Sequence, residues 1–129
     1  MEQGYIHIAN NIFPTLLAIS AEEQAKGLMF QEWPPPIMSF IYRQAQVNRF
    51  WMHNTKSPLD IIFCHQGQVS QICQGEPYST AIIGDNKPSD LIVEFPLGTA
   101  KTFNLKLGHS VGIVKPSAAE LKKIIAAKY

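Results

Sequence analysis

The sequence predicts an α+β fold that is predominantly β: a small antiparallel sheet, barrel-like or sandwich-like, of about seven strands with two or three short helices. Three observations point there. Short apolar runs are separated by clusters of Gly, Pro, Asn, Asp and Ser, the punctuation of strands joined by turns. Helix-start signals are few, and the two capping-box spacings, Ser20 to Glu23 and Ser117 to Glu120, each open only a short helical pattern. A chain of 129 residues, 46% hydrophobic and 16% charged, has the apolar content for one core, so residues 1–129 are expected to form a single domain.

The first run places Tyr5, Ile6 and Ile8 around His7, and Asn10 and Asn11 turn the chain into residues 13–19, a hairpin pattern. Ser20 then caps a helix over Ala21–Lys26, with Glu23 reaching back and Gly27 supplying a left-handed stop. Pro34, Pro35 and Pro36 cannot join a helix and serve a sheet poorly, which makes the segment around Trp33 an extended connector. Residues 37–42 resume as a strand, and the polar residues 43–48 read as a turn.

Residues 50–53 and 59–64 are expected as strands flanking the turn-forming Asn54, Thr55, Lys56, Ser57 and Pro58. Gln66 and Gly67 can close a hairpin onto residues 69–74, with Cys64 opposite Val69 and Asp60 opposite Cys73. That register separates the two cysteines by about four residues, roughly 13 Å, so both thiols should be free. Residues 75–89 form a long loop, a feature that often carries function. Residues 91–95 are a strand, Thr99 caps a helical turn that ends before Gly108, and residues 110–114 return to the sheet. Leu121, Ile124 and Ile125 fall on one face of a C-terminal helix over about 118–128, a stripe suited to packing on its own domain or, less simply, on a partner.

A formal net charge of +1 gives no global field for polyanions, so no nucleic acid is expected. From residue 100 onward the lysines outnumber the single Glu120, a face that an acidic partner could meet but that ordinary solvation also explains. No signal-peptide pattern opens the chain and no run is long enough to span a bilayer, so the sequence reads as soluble and, by default, cytoplasmic.

Glu22-Glu23 with Gly27-Leu28-Met29, then Phe50-Trp51-Met52 with Asn54-Thr55, then Pro58-Leu59-Asp60-Ile61 and Phe63, carry a family resemblance. It continues through Pro77 and Ser79, Glu94 with Pro96 and Gly98, and Gly108, covering roughly residues 15–114. On these residues the chain resembles the bacterial and archaeal family catalogued as domain of unknown function 192. The resemblance implies a small β-rich domain with no established activity, many of whose members look exported or membrane-anchored. The chain departs from the family pattern at His53, Gln31 and His109, where members commonly carry lysine, arginine and aspartate.

Strand alternation sets Trp51 and His53 on one face and Phe50 and Met52 on the other. Were the next strand to pair back, Asp60 would approach His53 or Asn54, giving a pocket in which the carboxylate orients the imidazole or polar groups grip a ligand. Trp51, His53, Asn54 and Asp60 are therefore the candidate ligand-binding residues. The structural alternative, the better supported of the two, has Asp60 accepting hydrogen bonds from the loop amides of residues 54–57 while Trp51 and Phe50 fill the core. His53, Asp60, Cys64, His65 and Cys73 could suggest a metal, but no paired C-x-x-C exists and adjacent Cys64 and His65 point to opposite faces of a strand. No metal site and no cofactor are expected. The favoured function is a ligand-binding or accessory module for an unknown small molecule or protein. A cofactor-free hydrolase using His53 and Asp60 is the enzymatic alternative, although no nucleophile can be named. A structural module presenting its C-terminal face to another chain is the third.

Overall fold

The computed structural model describes residues 1–115, 117–119 and 122. Ala9, at positive φ, and Asn10 turn the chain sharply, so that β1 (Glu2–Ile8) and β2 (Asn11–Ala18) pair as the expected hairpin with Ile6 opposite Phe13. Ser20 accepts from the Glu23 amide while Glu23 accepts from the Ser20 amide, and this reciprocal cap starts α1 (Ala21–Lys26), which Gly27 ends at φ 50°. β3 (Met38–Val47) follows the proline connector. β4 (Leu59–His65) and β5 (Gln68–Gly75) form the second hairpin, with Gln66 and Gly67 both at positive φ, as a two-residue turn of this hand requires. β6 (Pro88–Pro96), α2 (Thr99–Thr102) and β7 (Val111–Val114) complete the described elements.

The strands build one sheet in the order β5-β4-β6-β3-β2-β1-β7. The described residues are predominantly β with the two short helices α1 and α2, within the two or three that the sequence predicts, but the sheet is mixed rather than antiparallel. β2 and β3 run parallel because residues 19–37, carrying α1 and the prolines, cross over instead of turning back. The sheet curls into a half-barrel. Its two edge strands meet at one corner, where the Val69 amide donates to the His109 carbonyl at 2.9 Å and the Gly108 amide donates to the Val69 carbonyl at 2.8 Å.

Curling gives the sheet two apolar faces. Inside lie Ile6, Ile8, Ile62, Val93, Phe95 and Val111; on the other face Met38, Phe40, Leu59, Ile61, Phe63 and Ile92 pack beneath Leu28 and Met52. β4 and much of β6 are buried on both faces, which is why their sequences read as near-continuous apolar runs.

Several local expectations are corrected. Residues 43–47 extend β3, with a register shift between Ile41 and Gln46 letting exposed polar residues bulge before β3 rejoins β6. Residues 50–53 are not a strand; an isolated bridge joins Phe50 to Ile83. A register shift between Phe63 and Cys64 places Asp60 opposite Gln74 and Ile61 opposite Cys73, although Cys64 does face Val69, and both cysteines are free. Gly98, not Thr99, is the cap of α2; the Thr99 hydroxyl donates to the Pro96 carbonyl. The helix expected over about 118–128, with Leu121, Ile124 and Ile125, lies largely outside the described residues.

Candidate functional site

The parity of two neighbouring strands decides where the carboxylates go. Asp60 pairs with Phe95 and Ile61 pairs with Glu94, and side chains opposite one another in a ladder share a face. Asp60 therefore points to the inner face and Glu94 to the other. Asp60, 2% exposed, accepts from the Gly98 amide at 3.0 Å and the Ala100 amide at 2.9 Å, both through Oδ2. It fastens β4 to the start of α2, with charge-assisted bonds to two amides that the short helix cannot satisfy itself. Amide acceptance is the structural role expected of it, but the amides belong to residues 98 and 100 rather than to the loop at 54–57. The His53–Asp60 pairing on which a hydrolytic reading depended is not formed.

The other predicted residues separate as well. Trp51 and His53 are both exposed and stack on each other, ring centroids 4.8 Å apart at 31°. Asn54 takes φ 54° and its carbonyl accepts from the Phe30 amide, a turn role. Met52, between them, is fully buried against Gly75, where an added Cβ would lie 2.4 Å from its sulfur. The long loop after β5 holds this segment from the side: Phe50 and Ile83 exchange backbone hydrogen bonds, the Met52 amide donates to the Ser79 carbonyl, and the Tyr78 amide donates to the Thr55 carbonyl. That loop pins the aromatic segment; it does not roof a pocket over it.

Trp51 opens onto a cavity of about 280 Å³ that the sequence reading did not assemble. One wall is α1 and its exit, with Gln24, Lys26, Gly27 and Met29; another is Phe40 and Tyr42 of β3; a third is Arg49, Phe50, Trp51 and Thr55; and Glu94 of β6 reaches in from the sheet. Glu94 is only 4% exposed, and among the described residues no hydrogen bond or ion pair engages its carboxyl. Its ladder neighbours are Met38 and Ile61, so desolvation acts unopposed and pushes the carboxyl up to about 8. At neutral pH it is a protonated acid, able to donate one hydrogen bond and accept others. Tyr42 is raised too, first by burial and then by the nearby Glu94. Gly27 leaves the carboxyl accessible: a Cβ there would stand 3.7 Å from Glu94 Oε1 and 3.4 Å from Phe40 Cζ.

Besides its place among the residues that carry the family resemblance, Glu94 had a sequence signal in being an acid inside the apolar run Leu91-Ile92-Val93-Glu94-Phe95, where strand parity demands burial. Gln24, Tyr42 and Arg49 had none, because the crossover that brings α1 over the sheet is a long-range event. A larger open groove of about 780 Å³ lies elsewhere, lined by Tyr5, Phe13, Pro14, Leu16, Pro35 and Phe103. No ionisable side chain is buried in it, whereas the smaller cavity is lined by the buried Glu94. Among the described residues no three His, Cys, Asp or Glu gather to hold a metal, and no helix is long and apolar enough to cross a membrane.

A family model for domain of unknown function 192 (DUF192), described as an uncharacterised ACR, matches residues 6–113. The chain belongs to the DUF192 family. No curated protein matches it. It is similar to a protein of unknown function from Novosphingobium aromaticivorans, whose crystal structure superimposes with a TM-score of 0.78 at 30% identity, over 85% of this chain and 84% of that one. It is also similar to a Sinorhizobium meliloti protein provisionally named a transcription regulator, with a TM-score of 0.80 at 25% identity, over 87% of this chain and 94% of that one. Several of the residues that carry the resemblance to DUF192 fall into two groups in space. Asp60 and Gly98 join β4 to α2, whereas Gly27, Leu28, Met29, Phe50, Trp51, Thr55 and Glu94 surround the cavity.

Proposed function

We propose that this DUF192 chain is a small-molecule binding module whose ligand enters beside Trp51 and meets Glu94. The observation that carries the reading is the Glu94 carboxyl: nearly sealed from water, facing a cavity, and without a partner of its own among the described residues. Among the described residues no fully buried side-chain oxygen is left without a partner, so the Glu94 carboxyl keeps contact with water through the cavity, and a ligand there would take the place of that water. Aromatic walls are what ligand pockets usually offer, but the polar groups take a larger share of this lining than is usual, which favours a polar ligand. The cavity suits a metabolite rather than a large cofactor, being at the low end of ligand-pocket volumes. Trp51 remains a site residue in this reading, and Asp60 gives its place to Glu94.

The test is an amide NMR screen with mixed small fragments of positive, negative and neutral charge. Binders should shift Gly27, Thr55 and the Trp51 indole, and Trp51→Ala should weaken them. Shifts confined to Tyr5, Phe13 and Phe103, or no shifts at all, would overturn the proposal.

A further inference from the structure

The polar groups of the cavity are not a balanced set. Gln24 lines the wall with its amide nitrogen committed twice, to the Ala18 carbonyl at 3.1 Å and the Ile41 carbonyl at 3.0 Å, which fixes the amide orientation and leaves its oxygen as an acceptor. The Thr55 hydroxyl donates to the His53 carbonyl at 3.0 Å, so that its remaining capacity is also acceptance. Glu94 adds a carboxyl from a strand far off in sequence, on the wall of the same cavity. Phe40, Tyr42, Phe50 and Trp51 supply aromatic surface, which attracts cations over its faces. Apart from the Tyr42 hydroxyl and the proton of Glu94, the inner polar groups are acceptors beside aromatic faces, a lining that a cationic hydrogen-bond donor completes once Glu94 gives up its proton.

The mouth has the opposite preference. The two basic residues of the lining, Lys26 and Arg49, are both exposed, and the Arg49 guanidinium is braced by a bond to the Asn86 side-chain oxygen. A simple cation would have to pass them. A molecule with an anionic group trailing its cationic one satisfies both ends.

Resting on the binding reading above, we infer that the ligand is a metabolite-sized zwitterion, with an ammonium or guanidinium group seated against Glu94 and an anionic group held at the mouth by Arg49 and Lys26. Among the described residues, the other titratable groups lining the cavity are Tyr42, Lys26 and Arg49. In the empty protein Glu94 keeps its proton, because ionising it there has no compensation. An arriving cation supplies that compensation, and the proton leaves to solvent. Binding below pH 8 therefore releases a proton from Glu94, and affinity climbs with pH until the free carboxyl is already ionised, near 8.

Two matched series test this by calorimetry at pH 7 in buffers of different ionisation enthalpy. The first is 5-aminopentanoate, pentylamine and pentanoate; the second is 4-guanidinobutanoate, butylguanidine and butanoate. In at least one series the zwitterion should bind tightest, releasing about one proton at pH 7 and about none at pH 9. Glu94→Gln, nearly isosteric and folded by its melting curve, should weaken that zwitterion about tenfold and abolish the proton release. Arg49→Gln should erase its advantage over the matching amine while leaving the proton release in place. Tightest binding by either anion, binding without proton release, or silence from both series while other fragments occupy the cavity would each overturn the inference and leave the binding reading standing. Silence from every fragment would overturn both.

Discussion

Glu94 has a cost that can be measured without any ligand. Its carboxyl titrates near 8 in the folded chain against an ordinary value of 4.5, so between those values the folded state holds a proton that the unfolded state has lost. Stability from this group is complete below about pH 4.5, falls as pH rises, and is fully lost once pH passes 8, a total on the order of a few kcal/mol. Glu94→Gln cannot ionise and should remove that slope. Urea midpoints of the two proteins at intervals from pH 4.5 to 9 give the comparison, with wild type losing ground to the variant as pH rises. A wild-type advantage growing with pH would mean that the carboxyl is ionised and paired. An apolar residue would be the cheaper choice at this position on stability alone. That the chain carries an acid there, facing a cavity, is the residue-level observation on which the binding proposal rests.

Asp60 shows the opposite use of a buried carboxyl, and its effect belongs to the element it holds. α2 is too short to support itself and has no buried side chain of its own, so its place depends on the two amides that Asp60 accepts. Asp60→Asn should cost about 1–3 kcal/mol in chemical denaturation and loosen residues 98–105 in hydrogen exchange. Binding at the Glu94 cavity should survive in the folded protein, because the two carboxyls occupy opposite faces of the sheet; loss of binding with intact stability would return Asp60 to the site. Elements with local causes were legible in the sequence. The Ser20 to Glu23 box gives α1 its observed bounds, and Gln66-Gly67 gives the second hairpin. Where the cause is distant, legibility ended. Ser70 is the extra residue that shifts the β4–β5 register, its hydroxyl donating to the Phe63 carbonyl, and nothing in the hairpin pattern announces it. The apolar alternation of residues 50–53 was real, with Met52 buried between exposed Trp51 and His53. Its cause is a segment pinned by the long loop, which presents the same periodicity as a strand without a strand's ladder. The site was half legible for this reason: Trp51 could be found, but the acid it shares a cavity with depended on the pairing of β4 with β6.

At the scale of the whole molecule the parallel crossover and the closure do related work. By crossing over, residues 19–37 lay α1 against the outer face of the sheet, and the space between them is the cavity. By curling, the sheet covers its inner face, while Leu28 and Met52 cover the other, so that β4 and much of β6 are kept from water on both sides. Closure rests on few bonds. Val69 and Gly108 are joined as described, and the Val111 amide donates to the Gly67 carbonyl at 2.9 Å, linking the far ends of the strand order. Val69 and Val111 also belong to one buried cluster with Leu105, so opening that corner would expose the inner core as well as break the bonds. The amides of Val69, Gly108 and Val111 should therefore exchange with solvent only through global unfolding, as slowly as those of β4 and β6. Native-state exchange at increasing denaturant measures this directly: their opening energies should merge with the global value. Exchange at low opening energy would show that the half-barrel unzips at its edges independently of its centre, leaving β3, β6 and β4 as the separately stable unit that carries Glu94.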